Sequence, residues 1–591
     1  MVCYPPFIQL WGTALRHGLK AEFSVDSLVL KWFLVGGVLA VAGASASTRA
    51  HESTDLEHRF AHVVRYLADD RMAGRGMGSP EIDLVAEYLV GQFHQKGLAV
   101  RYQPFSYVQH SEQGSANHAV FANDAKQSRI DWKVDVDFRP LAIGGAGAID
   151  TPLVFVGYGI TAPELDYDDY AGVDVQGKTV IVLRHEPQQH DPYSEFDGLN
   201  LSKHAPFMRK IKNAIDHGAA AVVFCTDLHE TQEMRRRYEM RIDALNDKLL
   251  QEQNNFNAQS APTPSQTKIH GQRMDSMLDR ESRLKAMALA VNSHLLPFDQ
   301  AGQAVSEPFL PVMVATRDAL EQLFTAAGRG SLAELEVSID DDLQPRSFEL
   351  SGWRMVANVD ITRQEVTAMN VVATIEAEGP HADEAIVIGA HFDHLGRGGD
   401  TAFKGQIHNG ADDNASGVAM MLELARHYAS QPEPPPRRLV FVAFTGEERG
   451  LMGSRFYVDH PAVPLENTVA MFNFDMVGRL SDNRLIMSGT DTAKEFSQLV
   501  RDVNNYHSFD LQCVPGGLGP SDHASFYTRG VPVLHFFTGL HNDYHRPSDD
   551  VHLVDIAGMR RIYGYASELI DQVLYAPERP QYQQTDGPSR P

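Results

Sequence analysis

Apolar positions between about Leu56 and Lys96 recur at helical spacing, first Phe60, Val63, Val64 and Leu67, then Ile82, Val85, Leu89 and Phe93. The pattern predicts two helices that each bury one face. After Gly97 the alternation of Val100, Tyr102 and Phe105 predicts extended chain.

Between about 150 and 227 the pattern becomes a small mixed α/β module. Pro152–Tyr158, Lys178–Leu183 and Ala219–Cys225 read as strands, and Phe207–His217 reads as a helix. The order of GYGITAPELDYDDYAGVDVQGKTVIVL, a helix and GAAAVVF, with a return near PFLPVMVA (Pro308 to Ala315), resembles the protease-associated domain. Two charged, amphipathic runs follow, Leu228–Gln253 and Met274–Val291, with Pro262 and Pro264 between them. They predict an exposed helical hairpin inserted in the module, with a short partner-binding coiled coil as the alternative.

From Asn370 to about Val573, strand-like runs alternate with helical ones. The strands are Asn370–Ile375, Ala385–Ala390, Leu439–Phe444, Val469–Phe474 and Val533–Phe537, and Gly417–Ala429 is the clearest helix. Continuous apolar strands separated by helices predict an α/β fold with a largely parallel, buried sheet. The last helix should end near Tyr575, leaving 578–591 as a polar, proline-rich tail expected to be disordered.

Composition narrows the function. Of 591 residues, 43% are hydrophobic and 22% charged, enough for packed cores. The net charge of −25 repels a phosphate backbone and argues against nucleic-acid partners. Three cysteines support no disulfide framework; Cys225 is expected in a buried strand and Cys513 in a loop. The run Trp32–Ala46 follows Lys31 and ends in Ala44-Ser45-Ala46, a pattern expected of a cleaved secretory signal, with an uncleaved anchor as the lesser alternative. The long stretch before it is expected to reflect a start site placed too far upstream. No later run has membrane length, so an exported, periplasmic or secreted chain with no permanent membrane span is expected.

The candidate chemistry lies at strand ends. His391-Phe392-Asp393 follows AIVIGA, Asp412-Asp413 precedes the helix at Gly417, Glu447-Glu448 follows VFVAF, Asp475 follows MFNF, and Tyr544-His545 follows the last strand. Ligands bind at the carboxyl ends of strands in open α/β sheets. Steps of 22, 35, 27 and 70 residues separate His391, Asp413, Glu448, Asp475 and His545, so only the fold could assemble them. Taken singly, each has a plain structural explanation, such as a turn histidine, an N-cap pair or surface charge. Gathered in one cleft, the carboxylates require cations, and imidazoles plus carboxylates suit zinc.

HFDHLG, NGADDNASG, TGEERGLMGS, FNFDMVG and DYHRPSDD resemble, in order, the motifs of the co-catalytic zinc aminopeptidases, a family that includes bacterial leucyl-type aminopeptidases and glutamate carboxypeptidases. The resemblance implies a zinc-exopeptidase fold, two zinc ions and peptide substrates. It assigns His391 and Asp475 to one ion, Glu448 and His545 to the other, and Asp413 as the bridge. It makes Asp393 the partner that orients His391, and Glu447 the catalytic carboxylate. Tyr544 is a candidate oxyanion contact, and Ser521-Asp522-His523 resembles an element near the substrate. The implied organisation is an upstream region and signal over 1–46, peptidase domain over 47–135 and 346–577, and a protease-associated domain over 136–345 with its helical insertion around 228–292. Alternatives are a glutaminyl cyclase-like acyltransferase, a carboxypeptidase using Arg479 for the substrate carboxylate, and a non-catalytic binding protein.

Overall fold

The computed structural model describes residues 54–300, 302, 310–398 and 403–585. The expected signal segment lies outside the described residues. The chain divides into two compact units, the second of which, Ser106–Thr367, is inserted between the two parts of the first.

The first unit holds an eight-stranded sheet in the order Ala99–Gln113, Ile361–Ile375, Arg438–Phe444, Ala385–His391, Thr468–Phe474, Val533–Phe537, Arg484–Ser488 and Asp510–Val514. Its four central strands run parallel, and antiparallel pairings join Ile361–Ile375 and Arg484–Ser488 to them. The expected mixed, largely parallel α/β sheet is therefore present. Central strands such as Ala385–His391 and Thr468–Phe474 are buried along their whole length, as parallel strands covered on both faces must be. Helices 54–67 and Pro80–His94 bury the apolar positions read from their periodicity, and Ser79 caps the second by accepting the Ile82 N–H at 3.3 Å.

Register brings the strand ends level. His391 pairs with Phe444, and Gly389 with Asn473, so Asp475 emerges beside His391. The last helix, Ile556–Leu574, closes the core with Met559, Ile562, Tyr565 and Leu569, all fully buried.

Three details depart from the sequence reading. Cys513 lies on the strand Asp510–Val514 and not in a loop, because that strand alternates exposure where a continuous apolar run was sought. The tail expected to be disordered stays hydrogen-bonded through Thr585. The Gln581 carbonyl accepts the Lys494 N–H at 3.0 Å, and the Gln583 N–H donates to the Thr492 carbonyl at 2.8 Å. Main-chain bonds need no apolar side chains, so a polar tail can still dock. The second hairpin helix begins at Pro264 and not near Met274, because Thr263 and Gln266 form a capping box with proline at the first helical position.

The second unit has its own eight-stranded sheet, in which Gly147–Phe155, Thr179–Leu183, Ala221–Cys225 and Val312–Ala315 run parallel. The hairpin helices Leu228–Asn257 and Pro264–Leu289 extend from it, burying Ile242, Leu245 and Leu249 while most other positions stay exposed.

Candidate metal centre

His391, Asp413, Glu447, Glu448, Asp475 and His545, singled out at the strand ends of the first unit, converge on one place. His391 is the last residue of its strand, and its Nδ1 donates to the Asp393 carbonyl oxygen at 3.1 Å. That bond leaves Nε2 free to face the carboxylates, 3.3 Å from Asp475 Oδ1 and 3.4 Å from Asp413 Oδ1. On the other side, His545 Nε2 lies 3.3 Å from Asp413 Oδ2 and 3.1 Å from Glu448 Oε2. Asp413 thus turns one oxygen to each imidazole. Glu447 Oε2 approaches His391 Nε2 at 4.0 Å and lies outside this ring of shorter contacts.

The turn Ala411–Ser416 explains which of two adjacent aspartates faces the rings. Gly410 enters it at φ +55°, and a Cβ there would come within 2.1 Å of the Asp413 carbonyl oxygen. Asp412 turns inward and accepts the Gly478 N–H at 2.6 Å and the Ser416 hydroxyl at 3.0 Å. Asp549 orders the same turn from the last motif, its Oδ2 accepting the N–H groups of Asp412 at 3.0 Å and Asp413 at 3.1 Å. Neither aspartate is a helix cap.

Electrostatics couple the rings to the carboxylates. Burial opposes charge on His391, yet Asp475, Glu447 and Asp413 hold its imidazolium well above the usual range. Burial likewise opposes charge on His545, and hydrogen bonds to Asp413 and Glu448 push it up to about 10. Burial would raise Asp413, but His394, His391 and His545 hold it well below the ordinary carboxylate range. Glu447 goes the other way, raised well above its ordinary value by burial and by Asp475, Asp522 and Glu448. The cluster draws positive charge between its rings.

The donors fit zinc. Around a tetrahedral ion with bonds near 2.0–2.1 Å, neighbouring donor atoms lie about 3.3 Å apart. The four imidazole–carboxylate pairs to Asp475, Asp413 and Glu448 measure 3.3, 3.4, 3.3 and 3.1 Å. Donors converge in two groups, His391 with Glu447 and Asp475, and His394 with Asp413 and Glu448.

Asp393 meets His391 through its carbonyl; its carboxylate Oδ1 is 3.8 Å from Nδ1 and instead accepts the Glu447 N–H at 3.2 Å. Burial raises the Asp393 carboxyl to about 6. The Tyr544 ring stacks on His545 with centroids 3.8 Å apart. Ser521 donates to Asp475 Oδ2 at 2.7 Å and accepts from Asn473 at 2.8 Å. Arg479 is held by the Leu553 carbonyl at 2.8 Å and by Asp543.

The sequence reading missed three contributors. His394, three residues past His391, had a signal in the His-x-x-His spacing of HFDH. Asp549 had one in the final aspartate pair. Arg75 had none: it is fully buried and donates to the carbonyls of Leu67, Phe392, Asn409 and Gly410 at 2.6–3.0 Å.

Residues 370–570 match the model of peptidase family M28. Aminopeptidase YwaD of Bacillus subtilis (strain 168) is 27% identical over 219 residues, 35% of this chain and 44% of that protein. Leupeptin-inactivating enzyme 1 of Streptomyces exfoliatus is 28% identical over 182 residues, 30% of this chain and 37% of that protein. The chain thus spans less than half the length of these two curated relatives. Among solved structures, an aminopeptidase from Aneurinibacillus sp. strain AM-1 aligns over 89% of this chain and 95% of its own, at 20% identity and a TM-score of 0.44.

Proposed function

We propose that the chain is a zinc-dependent aminopeptidase that removes N-terminal residues from peptides. The observation that carries the reading is the division of Asp413, with one carboxylate oxygen toward His391 and the other toward His545. In this reading His391 and Asp475 hold one zinc ion, Glu448 and His545 hold a second, and Asp413 lies between them. The M28 match over 370–570 and the aminopeptidase relatives support it.

Bound zinc supplies Lewis acidity toward a peptide carbonyl and lowers the pKa of water. The rest falls to the protein. Glu447, beside the ring of donors, accepts the proton of the attacking water at its carboxylate and passes it to the leaving amine. Asp393 holds the Glu447 main chain at the head of the cluster. His391 keeps Nε2 inward through its Nδ1 bond. Tyr544 and His545, 36% and 34% exposed, form the open rim where a substrate enters, and the Tyr544 hydroxyl is the candidate oxyanion contact.

The engagement of Arg479 with Asp543 disfavours a carboxypeptidase, which needs a free cation for the terminal carboxylate. Two imidazole–carboxylate sets, His391 with Asp475 and His545 with Glu448, disfavour a single-zinc cyclase. The apolar run after Lys31 and Ala44-Ser45-Ala46 support export to the periplasm or medium, and no helix among the described residues is long and apolar enough to cross a membrane. The test is a panel of aminoacyl chromogenic substrates, with and without a chelator, alongside elemental analysis. Hydrolysis that is lost on chelation and returns with zinc is expected. Activity that ignores the chelator, or none on any aminoacyl substrate, overturns the reading.

A further inference from the structure

His394 stands apart from the other imidazoles in the cluster. It is buried, and its Nδ1 lies 2.7 Å from Glu448 Oε1 but 3.8 Å from Asp413 Oδ2. The spacing between two donors to one zinc is about 3.3 Å, so 2.7 Å is too short for that geometry and right for a charge-assisted hydrogen bond. The other Glu448 oxygen, Oε2, lies 3.1 Å from His545 Nε2. One oxygen therefore faces the ion site and the other faces His394.

The same division occurs across the cluster. Asp475 turns Oδ1 to His391 and Oδ2 to the Ser521 hydroxyl, which donates at 2.7 Å. A carboxylate that gives one oxygen to an ion and has the other held by a fixed donor cannot rotate away from its ligating pose. Ser521 does this for Asp475. His394 is placed to do it for Glu448.

The His394 ring is itself held. The His394 main-chain N–H donates to the Arg75 carbonyl at 3.1 Å, which fixes the backbone that carries the ring. A Cβ on Gly410 would fall 2.5 Å from its Cδ2, so only glycine leaves room for the ring. Its Nε2 is buried with no hydrogen-bond partner among the described residues. Placing the ring hydrogen on Nδ1 avoids leaving a buried donor unpaired at Nε2.

We propose that His394 is a positioning residue for the second ion site: its Nδ1–H holds Glu448 Oε1, so that Oε2 alone is presented as the ligand. This rests on the two-zinc reading above. Competition titration of zinc against a chromophoric chelator, on the full chain stripped of metal, resolves two binding constants in the wild type. His394→Phe should weaken one of them by about 10- to 100-fold, the usual consequence of losing a partner behind a ligand, and leave the other within a few-fold. His394→Asn, whose amide nitrogen sits near the position of Nδ1, should recover most of the loss. Glu448→Gln should weaken the same constant, and the double variant His394→Phe/Glu448→Gln should fall short of the product of the two effects. His394→Ala serves if the phenylalanine variant does not fold, with metal-stripped thermal melts reporting on folding. Two unaltered constants in a folded variant, or an asparagine variant as weak as phenylalanine, overturn the proposal alone. A wild type that binds fewer than two ions overturns the two-zinc reading and the proposal together.

Discussion

The Asp393 carboxylate accepts the main-chain N–H of Glu447 at 3.2 Å, joining the ends of two neighbouring parallel strands. Asp393 follows Ala385–His391, and Glu447 follows Arg438–Phe444 after two residues. The bond fixes the start of the Glu447-Glu448 pair, so that one carboxylate reaches His391 and the next reaches His545. Two adjacent glutamates therefore face different imidazoles.

In the proposed mechanism, Glu447→Gln removes a proton acceptor that is outside the ring of short donor contacts. Its kcat should fall by at least about 10²-fold while zinc content stays near the wild-type level, because general acid–base groups contribute about that much or more. Steady-state kinetics with elemental analysis on the same sample checks this. A parallel loss of zinc would make Glu447 a ligand.

Asp413→Asn and Glu448→Gln should differ in reach. Asp413 faces both His391 and His545, so its loss should weaken both ions; Glu448 faces only His545 among the two, so its loss should weaken one. Zinc retained after dialysis against graded chelator distinguishes them. Identical retention curves for the two variants would contradict the bridging position.

Arg75→Ala should destabilise the first unit by about 3 kcal/mol or more, since the guanidinium is charged, fully buried and donates to four carbonyls, of which that of Gly410 also accepts the Ala415 N–H. Burial pushes its pKa down to about 10, which leaves it charged at neutral pH. Arg75→Lys should recover little, because one ammonium cannot match the planar fork. Urea denaturation measures both; an alanine variant within 1 kcal/mol of wild type, in order of magnitude, would mean that water replaces the guanidinium.

His535 should make the fold sensitive to acid. It is buried, stacked on His523 at 4.3 Å, and accepts from Asn473 at 3.1 Å, and burial pushes its pKa down to about 4. A depressed pKa means the native state binds the proton more weakly than the unfolded chain. The contribution is present in full above about pH 6.5 and is lost as pH falls through 6.5 toward 4, by at most about 3 kcal/mol. Thermal melts of the metal-stripped protein from pH 7 to pH 4 should show this loss, and His535→Gln should flatten it. An unchanged acid slope in the variant would assign the loss to other groups.

Much of the fold was legible because burial repeats along the chain. Four of the five strand runs from Asn370 to Phe537 and the helix Gly417–Ala429 stand within a residue of where the apolar pattern put them, and the first run, read from Asn370, lies in a strand that begins at Ile361. Arg484–Ser488 and Asp510–Val514 were missed: they are five-residue strands toward one edge, and the second alternates exposure. The hairpin helix start was written in Thr263-Pro264 and Gln266, a local signal passed over in favour of the apolar run farther on.

Local order settled which elements form and which residue types arrive at the strand ends, because helix and strand periods and caps act over a few neighbouring residues. Its five motifs also carried the family resemblance. How the carboxylate oxygens are shared is set by packing: Asp413 between two imidazoles, Asp475 between His391 and Ser521, Glu448 between His545 and His394. Those partners lie tens of residues apart, except where a turn such as Ala411–Ser416 sets two adjacent aspartates to opposite tasks. Which oxygen faces which ring follows from strand register, the space left at Gly410 and the carbonyls gathered by Arg75. None of these has a local signature, because each is a contact between surfaces that meet only when the chain is packed.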